Sequence, residues 1–150
     1  MAVYADITIE TRDRRRVLVV ECKRGKETSP LKAAQWRRNY LAHGIHLDVP
    51  YFLLAFPTTF FLWRASRDAN AAPDFTAPAK SVLSRYLGKI ADRPDGPLEE
   101  SLEIALSTWL NDLATGIRQP EPGSEADQML VQSGLLAQIK DGVVRTQVRQ

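Results

Sequence analysis

The chain has 150 residues, 44% hydrophobic and 25% charged, with a net charge of +2, enough for one domain with a real core. No apolar run approaches a membrane span, no signal-peptide pattern opens the chain, and the single cysteine excludes an internal disulfide and suits a reducing cytoplasm. The small net charge hides an asymmetry: residues 1–90 carry fifteen Lys and Arg against eight Asp and Glu, and residues 91–150 carry five against ten. A basic front half favours a polyanionic ligand.

Residues 4–11 (YADITIET) and 17–24 (VLVVECKR) are expected to form two consecutive strands around the polar run 12–16. The second strand begins with four large apolar residues and ends abruptly on Glu21-Cys22-Lys23, charges that a strand does not bury unpaired without cost. A hairpin closed on Asp13-Arg14, or on the four residues 12–15, makes paired residue numbers sum to 27. Asp6 then faces Glu21, with Cβ atoms about 5 Å apart. Lys23 shares the face of Glu21, and Cys22 points to the other face as a packed thiol. Two opposed carboxylates are unfavourable without a cation between them, which makes the pair a candidate site for a hard divalent ion such as Mg2+, with Mn2+ as a substitute.

Ser29-Pro30 predicts a helix start, with the helix running to about residue 43 and stopped by Gly44. His43 and His46 straddle that end and read as ordinary loop residues. PYFLLAF (50–56) is expected to be a central buried strand, and TFFLWR (59–64) its neighbour after a turn at Pro57-Thr58. Residues 65–79 read as a surface loop, followed by a helix over about 79–90. A long amphipathic helix starts at Pro97, with Glu99, Glu100 and Glu103 suited to the positive end of its dipole and an apolar stripe from Leu98 to Leu113. A further helix over 125–140 and a last strand, VVRTQV, complete the chain. The expected fold is α/β (α+β), a mixed sheet flanked by helices. Residues 1–64 form its core, and 65–150 form a mainly helical extension that covers the sheet or makes a dimer surface, within a single domain.

Asp6 followed by Glu21-Cys22-Lys23 at the end of an apolar strand resembles the PD-(D/E)XK, or restriction-endonuclease-like, nuclease superfamily over about residues 4–64. The family proline is Ala5 here. The resemblance implies that Asp6 and Glu21, with the Cys22 carbonyl, bind Mg2+ and that Lys23 orients or activates the attacking water. Gln35, on the helix after the second strand, matches a glutamine found there in many of these nucleases, whereas Tyr40 is one residue too far for the family's Q-x-x-x-Y spacing. The family core normally begins with a helix, often bearing another acid, and a strand before the aspartate. Those elements must come here from later segments or a second chain, or else the sheet is trimmed. The implied activity is metal-dependent hydrolysis of nucleic-acid phosphodiester bonds, with DNA the expected substrate, and dimers are common in the superfamily.

Lys26, Arg37 and Arg38 are candidate phosphate contacts that position a duplex without reading its bases. Against this stands a plainer interpretation, an exposed hairpin whose charges form cross-strand salt bridges of little energetic weight. Two other functions remain open, a non-catalytic nucleic-acid-binding module on a nuclease-like sheet and a regulatory partner protein working through its acidic helices.

Overall fold

The computed structural model describes residues 4–43, 49–64, 68–93 and 96–149, without the side chains of residue 4 and residues 147–149. The chain runs β1 (Tyr4–Glu10), β2 (Arg16–Cys22), α1 (Pro30–Ala42), β3 (Tyr51–Ala55), β4 (Thr59–Arg64), β5 (Phe75–Pro78), α2 (Lys80–Leu87), α3 (Glu99–Thr115), α4 (Glu125–Gln132), α5 (Leu135–Ile139) and β6 (Val143–Arg149). The strands form one six-stranded sheet in the order β5-β4-β3-β2-β1-β6. Only β2 and β3 are parallel. That pairing requires a crossover, and α1 provides it.

Local sequence accounts for most of these elements. Ser29 caps α1 by accepting a hydrogen bond from the Lys32 N–H at 3.3 Å, and Pro30 occupies the first turn where its missing donor is harmless. Gly44, the expected stop, and His46 lie outside the described residues. All five residues of β3 are buried, as expected of a central strand covered on both faces. On one face Ile7, Leu18, Val20, Leu53 and Leu62 pack against α2, α3, α4 and α5, with Trp109 at the centre. On the other, Val19, Phe52, Leu54, Phe61 and Trp63 pack against α1 through Ala33, Trp36 and Tyr40.

Four expectations need correction. The hairpin loop has neither two nor four residues: Thr11 N–H bonds the Arg15 carbonyl at 2.8 Å, leaving the three residues 12–14 in the loop. That closure pairs Glu10 with Arg16, and a bulge then restores Ile9↔Leu18 and Ile7↔Val20. The loop and the bulge each shift the register by one, and the shifts cancel. Second, part of the supposed loop 65–79 is β5, a four-residue edge strand beside β4. Third, the helix expected over 125–140 breaks at Ser133-Gly134, where Gly134 takes φ 82°, a conformation glycine adopts without a Cβ clash. Fourth, Leu98, expected in the apolar stripe, precedes α3 and is 55% exposed. The later part of the chain also does more than cover the core, because β5 and β6 form both edges of the sheet.

Candidate active site

The site lies where β1 and β2 part. Past the bulge their ladder is regular from Ile9↔Leu18 to Ile7↔Val20. Beyond it β1 continues with β6 to Tyr4↔Arg149, and β2 continues with β3 to Cys22↔Ala55. The Cys22 N–H donates to the Asp6 carboxylate (Oδ2) at 2.7 Å, so a side chain replaces the next rung of the ladder. Within a strand, one residue's N–H and C=O point to the same edge. The Cys22 carbonyl is therefore directed toward the gap that holds Asp6.

Glu21 enters this gap from the face covered by α1. It is 5% exposed, and its Oε1 has no hydrogen-bond partner among the described residues. Burial, followed by the charge and contact of Asp6, pushes its carboxyl up to about 9. A third acid comes from α3. Burial and then the charge of Asp6 raise Glu103 to about 7, with Glu99 and Glu100 adding to the shift. Asp6 thus contributes to the upward shift of both Glu21 and Glu103. The Cys22 thiol is buried on the opposite face, and its pKa is raised well above the usual value by burial and then by Asp6 and Glu103.

Lys23 is half-buried, and its ammonium lies 4.7 Å from the centre of the Trp36 ring, a cation–π distance. Among the described residues it forms no ion pair with the acids. Gln35, one residue before Trp36, is exposed on α1. Tyr40 is nearer the site electrically: burial raises its pKa first, followed by the charges of Glu21 and Asp6. Lys26 and Arg38 are exposed, whereas Arg37 is 3% exposed, donates to the Asp68 carbonyl at 2.9 Å and lies over the Trp63 ring. Glu10, at the far end of β1, pairs with Arg145 at 3.1 Å and stands apart from the site.

Glu103 reads as a helix-dipole residue and Tyr40 falls outside the family spacing, so neither is expected at the site from the sequence. Glu103 left a trace there, because residues 99, 103, 106, 110 and 113 follow one helical stripe and its first two positions are acids. Glu103 was attributed to the helix dipole, and its continuation of the buried face was missed.

Among the described residues, no group of three or more His, Cys, Asp or Glu side chains stands arranged to hold a metal ion. The residues present nevertheless suit a hard cation. Asp6 and Glu21 are adjacent, one buried Glu21 oxygen lacks a partner among the described residues, and a main-chain carbonyl faces the same gap. Mg2+ is commonly held by one or two carboxylates and keeps several waters. Comparison with family models, with curated proteins and with solved structures returns no match to this chain.

Proposed function

We propose that this chain is a metal-dependent nuclease that hydrolyses phosphodiester bonds of nucleic acid, with DNA as its substrate. The observation that carries this reading is the parting of β1 and β2, where the Asp6 carboxylate takes the Cys22 N–H, buried Glu21 keeps one oxygen without a partner, and neither acid is in an ion pair among the described residues. The resemblance to the PD-(D/E)XK superfamily supports it further. In this reading α3 with Glu103 and β6 beside β1 would stand in for the acid-bearing helix and the strand expected before the aspartate.

In this reading Asp6 and Glu21, with the Cys22 carbonyl, hold Mg2+ or Mn2+. The bound ion supplies Lewis acidity toward the scissile phosphate and a water of lowered pKa. Lys23 leaves the Trp36 ring to hold the attacking water and to offset the negative charge that grows on the phosphoryl oxygens. Gln35 orients the water or the phosphate. Lys26 and Arg38 contact the backbone of the duplex.

Plasmid and linear DNA incubated with Mg2+, Mn2+ or EDTA test the proposal. Cleavage is expected with either metal and not with EDTA. Lys23→Ala is expected to lower it by roughly 100-fold or more while leaving DNA binding in place. The resting position of Lys23 over Trp36, away from the acids, favours a second reading, a nucleic-acid-binding module without catalysis. Salt-dependent DNA binding with no cleavage under any metal condition would select that reading.

A further inference from the structure

At the opposite end of β2 from the acids, the hairpin tip presents a different kind of surface. Thr11 organises it: its N–H bonds the Arg15 carbonyl, its carbonyl accepts from the Arg14 N–H at 2.9 Å, and its hydroxyl accepts from the Arg15 N–H at 3.1 Å. The same hydroxyl bonds Asp13, and this contact is the main reason that the Asp13 carboxyl is held below its usual pKa. The tip is therefore a fixed turn with Arg12, Arg14 and Arg15 exposed. None of these three forms an ion pair among the described residues.

Arg14 is the telling residue. It sits at φ 64°, the left-handed position that closes a three-residue hairpin and that glycine fills without strain. An arginine there carries a backbone strain that glycine does not, and no described contact of its side chain offsets it. A local rule broken without a structural gain points to function. What the residue adds at the apex is a cation.

We propose that the 12–15 tip is a second contact for the phosphate backbone of nucleic acid. Arg14 precedes Glu21 by seven residues, the last five steps along β2, so the two lie at most roughly 23 Å apart at the rise of a strand. A duplex places a phosphate about every 3.4 Å along each strand, so tip and acids are at most about seven base pairs apart. Three guanidinium groups on a fixed turn suit phosphate oxygens and carry no base selectivity. The choice of nucleic acid over another polyanion rests on the proposed nuclease function, but the test below does not require cleavage.

Binding of a 20-base-pair duplex in EDTA, measured across a salt series, reads the tip directly. Arg14→Gly relieves the backbone strain and is expected to melt at or above the wild-type temperature, so a folding defect cannot account for weaker binding. Affinity should fall several-fold for Arg14→Gly and further for Arg12→Ser/Arg14→Gly, with the slope of log affinity against log salt shrinking by about 0.9 per lost phosphate contact. Hydrolysis of a small phosphodiester, which cannot reach the tip, should be unchanged. No duplex binding by the wild type, or an unchanged salt slope in both variants, overturns the proposal. So does loss of binding to anionic phosphatidylserine vesicles with duplex binding intact, which would make the tip a membrane contact. If the slope shrinks but no metal supports cleavage, the tip contact stands and the nuclease reading falls.

Discussion

Two buried carboxylates in this molecule have opposite surroundings. Asp127, 1% exposed, accepts from the Trp109 indole N–H at 2.8 Å, from both terminal nitrogens of Arg118 at 2.7 and 3.1 Å, and from the Glu121 N–H at 3.0 Å. In return it raises the pKa of Arg118. Glu21 is almost as deeply buried, yet among the described residues one of its oxygens has no partner, and the charge of Asp6 helps to raise its pKa. A buried charge is tolerated when donors replace the water it lost. Asp127 is internally complete and ties α4 to α3. Glu21 is incomplete within the described chain, and the missing partner is what the proposed function supplies.

The contrast can be broken first at its satisfied end. Asp127→Ala strands the Arg118 guanidinium and a buried indole N–H, and is expected to cost about 3–5 kcal/mol, read as a loss of urea midpoint at unchanged slope. A cost below about 1 kcal/mol would mean that the network is ornamental. At the unsatisfied end the sign reverses. Glu21→Gln keeps the volume and removes the proton uptake that folding requires at pH 8, so metal-free stability there should stay level or rise by about 1–2 kcal/mol, while Mg2+-dependent cleavage is lost.

The pH dependence sharpens the same contrast. The unfolded chain ionises Glu21 near 4.5, whereas the folded chain holds the proton to about 9. Between those values the native state binds more protons than the unfolded state, so metal-free stability falls as pH rises through that window. Below about 4.5 Glu21 is protonated in both states and the penalty vanishes. Thermal melts in EDTA from pH 4.5 to 9 should show the decline in wild type and a flatter profile in Glu21→Gln. Glu103, raised only to about 7 and partly open to solvent, should give the smallest effect. Glu103→Gln is expected to change metal-free stability by well under about 1 kcal/mol after solvent screening, with the change confined to pH values above about 4.5.

The parts of this picture that were legible in the sequence are those fixed by short-range chemistry. Val17–Val20 ending on Glu21 marked a buried strand with a charge at its end, Ser29-Pro30 marked the start of α1, and the apolar run at 51–55 marked the central strand. The register was also legible as far as Ile7↔Val20, one pair short of Asp6 and Glu21, although through a loop of the wrong length that a bulge at Arg16 compensates. What the sequence hid is what only long-range packing decides. FTAP, short and carrying a proline, looks like a loop until β4 offers it an edge. Glu103 is 97 residues from Asp6 and shares no local pattern with it; only the packing of α3 on the sheet brings them together. Arg37, by contrast, belongs to a basic run, but the helix turns it inward to Asp68 and Trp63.

The central claim is that the carboxylates at the parting of β1 and β2 form an incomplete site that a divalent cation completes. Thermal unfolding at pH 8 with increasing Mg2+ tests it most directly, because a ligand that binds only the folded state raises the melting temperature with its concentration. The wild type should gain stability progressively, and Glu21→Gln and Asp6→Asn should show little or no gain. A wild-type melting temperature indifferent to Mg2+ and Mn2+, or an equal rise in Glu21→Gln, would contradict the account.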